Sequence, residues 1–185
     1  MEDSKYYTKV SLQETIDEWM LARNGTIKAS GDQPFYYDGE DRFAVDPEST
    51  DMRYDLPGNY CPGTVISDPE THSAYASLNV STKAFDSSGM DVEVEIERVS
   101  EFWRSQGWTD IRRGPEATGE RRIYVYSPSG LRLIYEVMIS GDRAMKSLQM
   151  DSMCAREFAS GSPVYLGDFE DRYFASPSAS SSEGQ

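Results

Sequence analysis

The segment RRIYVYSPSGLRLIYEVMIS, residues 121–140, decides the fold that we predict from this sequence. Two runs with apolar residues at every second position flank the turn sequence Ser127-Pro128-Ser129-Gly130. The alternating apolar residues are Ile123, Val125, Leu131, Leu133, Tyr135, Val137 and Ile139. A period of two on both sides of a Pro/Ser/Gly turn is typical of a β-hairpin that buries one face. The segment therefore predicts two antiparallel strands.

Further strands are predicted on both sides of this hairpin. HSAYASLNVSTKAF, residues 72–85, alternates small or apolar residues with polar ones, and WTDIRRG, residues 108–114, precedes the hairpin directly. KSLQMDSMC, residues 146–154, follows the turn signal Gly141-Asp142. One side of this last strand carries Leu148, Met150, Ser152 and Cys154. Consecutive strands joined by short turns usually pair, so we expect an antiparallel meander.

Two helices are predicted. DVEVEIERVSEFWRSQGW, residues 91–108, places its apolar residues on one stripe and ends at Gly107. The stripe consists of Val92, Ile96, Val99 and Trp103. SLQETIDEWMLARNG, residues 11–25, begins with a capping box from Ser11 to Glu14 and is expected to end at Asn24-Gly25. An apolar sheet face has to be covered, and the Trp103 stripe is the expected cover.

The predicted fold class is α+β, a two-layer sandwich of a helix on an antiparallel sheet of about four to five strands, plus an N-terminal helix. We expect a tether over residues 1–10, a single domain over residues 11–174 with its core at about 50–155, and a disordered Ser-rich tail over residues 175–185. Residues 31–58 are rich in Pro, Gly and acidic residues, and we expect them to be irregular, with one short strand near residues 43–45.

The charge of the chain excludes several kinds of partner. Lys and Arg number 18 against 32 Asp and Glu, which gives a net charge of −14. Such a surface repels phosphate backbones and anionic lipid headgroups, so nucleic acid is not an expected partner. No apolar run approaches the roughly 18 residues of a membrane helix, and the sequence as written begins without a signal peptide.

Groups that usually carry catalysis are scarce in this chain. It has one histidine, His72, and nothing in the spacing of its 32 acidic residues singles out a catalytic pair. Phosphate-binding loops, serine-nucleophile motifs and zinc-protease motifs are absent from the sequence. Acid-rich stretches such as YYDGEDR lack the spacing of a calcium loop and are better explained as solvated surface. We therefore predict a protein that is not an enzyme and that uses no cofactor or metal.

The two cysteines, Cys61 and Cys154, admit three interpretations. They lack the spacing of a zinc site or a C-x-x-C redox pair, and no motif around either one indicates a nucleophile. A disulfide is favoured because Cys61 lies in the Pro/Gly turn GNYCPG, while Cys154 ends the last predicted strand. Closing a loop of about 90 residues would stabilise the fold by about 4–5 kcal/mol. The remaining alternative is two buried, inert thiols.

Aromatic residues offer the one candidate binding surface. Tyr36, Tyr37, Tyr54 and Tyr60 flank the irregular segment, and exposed tyrosines bury much area at low entropic cost. The alternative is that they pin this segment onto the core, and the sequence does not choose between the two.

A resemblance rests on three motifs: Trp103 followed by Gly107-Trp108, the hairpin IYVYSPSG, and the terminal strand MDSMC. In this order they resemble small presumed lipoproteins of actinobacteria over residues 50–155. The resemblance implies an exported domain of unassigned activity, held at the outer face of the cell membrane by a lipidated N-terminal cysteine. This sequence departs from that pattern because it contains neither the signal peptide nor the lipid-accepting cysteine, so any membrane contact would be made through a lipid anchor outside this sequence.

Three functional hypotheses follow. The first is a non-enzymatic extracytoplasmic domain, anchored as a lipoprotein, that binds an unidentified envelope protein or ligand. The second is a cytosolic acidic module, such as an immunity protein or a secretion chaperone, that recognises a basic protein. The third is a wall hydrolase, which would need two convergent carboxyl groups about 5–9 Å apart.

Overall fold

The structure is a computed structural model that describes residue 10 and residues 12–37, 43–49, 59–60, 74–116 and 119–154. In chain order the elements are α1 (Leu12–Ala29), β1 (Phe35–Tyr37), β2 (Asn59–Tyr60), β3 (Ala74–Tyr75), β4 (Ser77–Thr82), β5 (Phe85–Asp86), α2 (Val92–Ser105), β6 (Arg112–Arg113), β7 (Glu120–Tyr126), β8 (Arg132–Ser140) and β9 (Arg143–Asp151). Within these residues, no helix is long and apolar enough to cross a membrane.

The main sheet has seven antiparallel strands. Its order is β1-β4-β9-β8-β7-β6, with β5 pairing with β9 beyond the end of β4. The strands β2 and β3 form a separate two-stranded sheet. The predicted α+β class with an antiparallel sheet is confirmed, but the sheet is larger than the predicted four to five strands. The additional strands, β1 and β5, are three and two residues long, too short to show an alternating pattern in the sequence.

The central hairpin and α2 form as predicted. Residues 127–130 make the turn, in which the Gly130 N–H donates to the Ser127 carbonyl at 2.9 Å. The Asp91 carboxylate caps α2 by accepting from the backbone N–H of Glu93 at 3.0 Å. An Asp at this position satisfies a donor that the first helical turn would otherwise leave unpaired.

Helix α1 continues past its predicted end at Asn24-Gly25 and finishes at Ala29. A Cβ atom on Gly25 would overlap the ring of Phe102 in α2. The glycine therefore serves close packing between two helices and does not end α1. Local sequence rules treat Asn-Gly as a stop signal because they cannot see the neighbouring helix. The Ser11 cap predicted for this helix lies outside the described residues.

One hydrophobic core lies between the sheet and both helices. Trp103 of α2 is completely buried, and its indole N–H donates to the Thr26 hydroxyl of α1 at 2.9 Å. The strands of the main sheet, with Ala76 just before β4, contribute alternate residues to this core: Phe35, Tyr37, Leu78, Val80, Ile123, Val125, Leu133, Tyr135, Val137, Leu148 and Met150. α2 thus covers the sheet through its Trp103 stripe as predicted, and α1 contributes to the same core, which the sequence did not predict.

The segment near residues 43–45 contains one bridge and no full strand. Ala44 forms an isolated antiparallel bridge with Tyr36, supported by a hydrogen bond from the Tyr37 N–H to the Phe43 carbonyl at 2.9 Å. This pairing runs along the outer edge of β1, so the edge strand of the sheet has a partner on its free side.

Candidate binding site on the open face of the sheet

The second face of the sheet points away from both described helices. Because side chains alternate along a strand, every residue between two core residues belongs to this face, which we call the open face. Its residues on the four longest strands are Ser77, Asn79, Ser81, Arg122, Tyr124, Tyr126, Arg132, Ile134, Glu136, Met138, Met145, Ser147, Gln149 and Asp151. All of them are half-buried or exposed.

Strand register arranges these residues in rows across the sheet. In one row Tyr126 lies opposite Arg132, Arg132 opposite Asp151, and Asp151 opposite Ser77. Residues directly opposite each other on an antiparallel pair have Cβ atoms about 4.5–5.5 Å apart, so neighbours in a row are in contact. Three consecutive strands and the distant β4 therefore contribute to one continuous strip.

The next row is uncharged. Tyr124 lies opposite Ile134, Ile134 opposite Gln149, and Gln149 opposite Asn79. It combines an aromatic ring, an aliphatic side chain and two carboxamides, which are groups that both donate and accept hydrogen bonds. Asn79 is exposed, whereas Gln149 is half-buried at the centre of the sheet.

Asp151 is the centre of a polar network on this face. Its carboxylate accepts hydrogen bonds from Ser77 Oγ at 2.8 Å, Arg132 Nη2 at 2.6 Å and Gln149 Nε2 at 3.0 Å. The donors lie on three different strands, and only 15% of the Asp151 side chain is exposed. A charged acceptor with three donors holds the Arg132 and Gln149 side chains in fixed orientations.

A second ion pair lies on the other side of the uncharged row. Arg122 Nη2 donates to Glu136 at 2.9 Å and also to Glu120 at 3.1 Å. Only 13% of the Glu136 side chain is exposed, so this carboxylate is enclosed by its neighbours. The charges of both flanking rows are thus matched within the sheet itself.

Tyr126 is the most accessible aromatic residue of the open face, with 59% of its surface exposed. Its place opposite Arg132 puts an exposed ring beside the Asp151 network. An accessible ring next to oriented donors and acceptors can supply both apolar area and hydrogen bonds to a bound molecule. The open face is therefore our candidate site, centred on Tyr126, Arg132, Gln149 and Asp151.

The structure describes the side chains of two of the four tyrosines predicted from the sequence, and these two lie on opposite faces of the sheet. Tyr37 belongs to the core at 9% exposure and accepts a hydrogen bond from the buried Arg23 at 3.3 Å, as expected of a residue that pins its segment. Tyr36 is half-buried at the β1 edge of the open face, with Lys83 Nζ 4.7 Å from its ring centre. Tyr54 lies outside the described residues, as does the side chain of Tyr60.

Cys154 is buried, with 5% of its surface exposed, just beyond the end of β9. The chain there lies close to β3, because the Ser152 N–H donates to the Ala76 carbonyl at 2.9 Å. β3 in turn pairs with β2, in which Tyr60 lies opposite Ala74. Cys61 itself lies outside the described residues, so the disulfide stays a prediction.

Comparison with known proteins gives only distant likenesses. No family model and no curated protein matches the chain. Among solved structures, it is similar to a presumed lipoprotein, LppA of Mycobacterium tuberculosis, at 14% identity and a TM-score of 0.46, covering 85% of this chain and 86% of that one. It is also similar to a DUF4853 family protein of Actinomyces odontolyticus at 13% identity and a TM-score of 0.39, covering 79% and 69%. Neither likeness assigns a role to a residue of this chain.

The Asp151 network was not anticipated from the sequence. The alternation along the predicted strands identifies outward-facing residues, such as Arg132, Ile134 and Glu136 on β8, and this signal could have pointed to the face. The pairing of Arg132 with Asp151 and Ser77 depends on the register of three strands, and register is set by tertiary structure.

A second polar cluster lies on the helix-covered side and is closed to solvent. Lys146, with 2% of its side chain exposed, pairs with Glu95 of α2 at 2.5 Å and donates to the Gln33 side chain at 3.1 Å. Tyr135 is also buried here, and its burial, with a contribution from Glu95, raises the pKa of its hydroxyl. This cluster joins β9, α2 and the segment after α1, and its role is structural because a ligand has no access to it.

Glu18 makes a similar internal connection. Its carboxylate accepts hydrogen bonds from the hydroxyls of Ser127 and Ser129, which are both 6% exposed. The Ser127 hydroxyl also accepts from the Leu131 N–H at 3.1 Å. The turn of the central hairpin is thereby attached to α1, and its serines are fixed as structural residues.

Proposed function

We propose that this protein is a non-enzymatic domain that is exported, held at the membrane through a lipid anchor outside this sequence, and binds a component of the cell envelope through its open face. The observation that carries the proposal is the exposed Tyr126 beside the Asp151 network. Binding sites need polar groups that are already oriented, because each side chain ordered on association weakens affinity. The network meets this requirement through hydrogen bonds within the protein.

The hydrogen bonds of the two carboxylates in the central rows support a binding role over a catalytic one. Asp151 accepts three hydrogen bonds, and Glu136 is paired with Arg122 at 2.9 Å. A general acid or base needs a carboxyl oxygen within hydrogen-bond reach of its substrate, and both oxygens of Asp151 already accept from donors of the protein itself. These pairings support a binding role over that of a wall hydrolase.

Export is supported by the surroundings of Cys154. Tyr60, the last residue of β2, directly precedes Cys61 in the sequence, and β2 pairs with β3. Just after β3, the Ala76 carbonyl accepts from the Ser152 N–H, two residues before Cys154. A disulfide between these cysteines would be stable only in an oxidising compartment. The location outside the cytoplasm therefore depends on this predicted bond.

The alternative, an acidic cytosolic module that binds a basic protein, would need a surface with unpaired carboxylates. On the open face the ion pairs Arg122–Glu136 and Arg132–Asp151 leave no excess of negative charge in the central rows. A basic partner would have to bind elsewhere on the chain.

Co-sedimentation with cell envelopes of the source organism tests the proposal. We expect the full chain to bind, and Tyr126→Ala and Gln149→Ala to weaken binding by about tenfold each, the loss typical of an interface residue that matters. Val94→Ala is the matched control, because Val94 is 53% exposed on α2, on the other side of the molecule. Absence of sedimentation, or equal sedimentation of all variants, would contradict a binding role for the open face.

A further inference from the structure

We infer that the ligand of the open face is an uncharged oligosaccharide, an inference that rests on the proposed function and specifies its partner. Three features of the central rows lead to it: their internal charge balance, the paired carboxamides of Asn79 and Gln149, and the accessible ring of Tyr126.

The charge balance argues against a charged ligand. The whole chain has a net charge of −14, yet the central rows hold two arginines that pair with two acids on the same face, Arg122 with Glu136 and Arg132 with Asp151. Glu120, at one end of the face, shares the Arg122 guanidinium at 3.1 Å. A phosphate, carboxylate or ammonium group would find the charges of these two pairs already matched, which removes much of the attraction that a charged ligand needs. An uncharged ligand can bind while every pair stays in place.

The carboxamides suit hydroxyl groups. Asn79 and Gln149 lie directly opposite each other on β4 and β9, and the hydrogen bond from Gln149 to Asp151 at 3.0 Å fixes the orientation of the Gln149 amide. A hydroxyl both donates and accepts, so neighbouring hydroxyls of a sugar can pair with the donor and the acceptor of a carboxamide.

The aromatic residues supply the apolar part of the site. Tyr126 and Tyr124 lie two residues apart on β7 and point to the same side, so their positions are about 7 Å apart along the strand. The face of a sugar ring that carries C–H groups can stack on such a phenol ring, while the phenol hydroxyl remains hydrogen-bonded to water or ligand. Rings and amides in adjacent rows therefore match a ligand that is polar at its edges and apolar on its faces.

The first test is a titration followed by NMR. Uncharged hexasaccharides of α-1,4-glucose, β-1,4-glucose and α-1,6-mannose are added to the full chain, with an oligogalacturonate of equal length as the charged comparison. We expect at least one uncharged sugar to shift the signals of the Ile134 methyl and the Gln149 amide, with an affinity that changes little when salt is raised about tenfold. Tyr126→Ala should weaken it about tenfold and Val94→Ala should leave it unchanged.

The second test separates this inference from the proposed function. Envelopes are treated with periodate, which cleaves the vicinal diols of sugars, or with protease, before co-sedimentation with the full chain. Loss of binding after periodate and its persistence after protease would support an oligosaccharide. Binding that depends on Tyr126 but is lost after protease and kept after periodate would overturn the inference while the proposed function stands. Self-association of the chain that Tyr126→Ala abolishes would likewise overturn it, since a second copy would then occupy the face.

Discussion

Tyr135 is a polar residue that is buried in the core and takes no part in the candidate binding site. It is completely buried on β8, and its hydroxyl makes no well-formed hydrogen bond to the described residues, although the Ser30 side chain interacts with it and partly offsets the rise in its pKa caused by burial. Burying a hydroxyl without a partner costs free energy that a phenylalanine of the same shape would not. The residue therefore fills volume in the core, and its hydroxyl lowers the stability of the fold.

We expect Tyr135→Phe to leave the free energy of unfolding at neutral pH unchanged or to raise it by up to about 1 kcal/mol. The pKa of Tyr135 is raised by burial and then by Glu95. Above about pH 10 an unfolded chain loses this proton while the folded protein keeps it, so this group destabilises the fold as pH rises, by up to about 1.4 kcal/mol per pH unit. The advantage of the variant should therefore grow above about pH 10.

Urea unfolding at neutral and alkaline pH measures both effects. Tyr126→Phe is the control, because Tyr126 is 59% exposed and lies outside the core that contains Tyr135. A clear loss of stability in Tyr135→Phe at neutral pH would show that the hydroxyl has a favourable partner, contrary to this account.

At the level of secondary structure elements, the contact between the helices explains the length of α1. Gly25 lies inside the helix, where glycine lowers helix stability by about 1 kcal/mol relative to alanine. A larger residue does not fit there because the Phe102 ring occupies the space of a side chain. The same contact brings Thr26 within hydrogen-bonding distance of Trp103, at 2.9 Å.

Gly25→Ala should therefore destabilise the protein by about 1–3 kcal/mol through overpacking, although alanine is the better helix former. In a Phe102→Ala background the same substitution should become neutral or stabilising by up to about 1 kcal/mol. Thermal or urea unfolding of the four proteins of this double-mutant cycle gives the coupling energy directly. Equal effects in both backgrounds would show that the helix contact does not explain this glycine.

At the scale of the whole molecule, the two faces of the sheet differ in composition and in role. The helix-covered face holds the hydrophobic core, together with the buried Lys146–Glu95 pair. The open face carries cross-strand ion pairs, carboxamides and an exposed tyrosine. An antiparallel sheet permits this division because alternate residues of each strand belong to opposite faces. Substitutions on the open face can therefore change binding with little effect on the core.

A disulfide between Cys61 and Cys154 would close most of the sheet into one covalent loop. Peptide mapping under non-reducing conditions should find the two cysteines linked, and reduction should lower the melting temperature, with the chain-entropy estimate of about 4–5 kcal/mol as an upper limit. The double variant Cys61→Ala/Cys154→Ala should be less stable and insensitive to reductant. Two free thiols in natively isolated protein would remove the support for a location outside the cytoplasm.

The resemblance to actinobacterial lipoproteins stays a prediction about family and anchoring. The case for function therefore depends on the side chains of the open face and on the disulfide, which can be tested on this protein directly.

The sequence by itself determined the α+β class, the central hairpin, α2 and the inward-facing set of apolar residues. These follow from periodicity and from turn and capping residues, which act between neighbours in the chain and can be recognised without knowledge of the fold. The two short strands, β1 and β5, could not be predicted because segments of two or three residues carry no periodic signal.

Only the tertiary structure decided the end of α1, the burial of Lys146 and Tyr37, and the candidate site. Each depends on a partner that is distant in the sequence: Phe102 for Gly25, Glu95 for Lys146, and Ser77 for Asp151. Such contacts depend on strand register and on the packing of α1 on α2. They stabilise the protein only after separate elements have come together, so no local pattern in the sequence reveals them. The open face could be recognised as polar from its alternation, but its hydrogen-bond network exists only in the folded sheet.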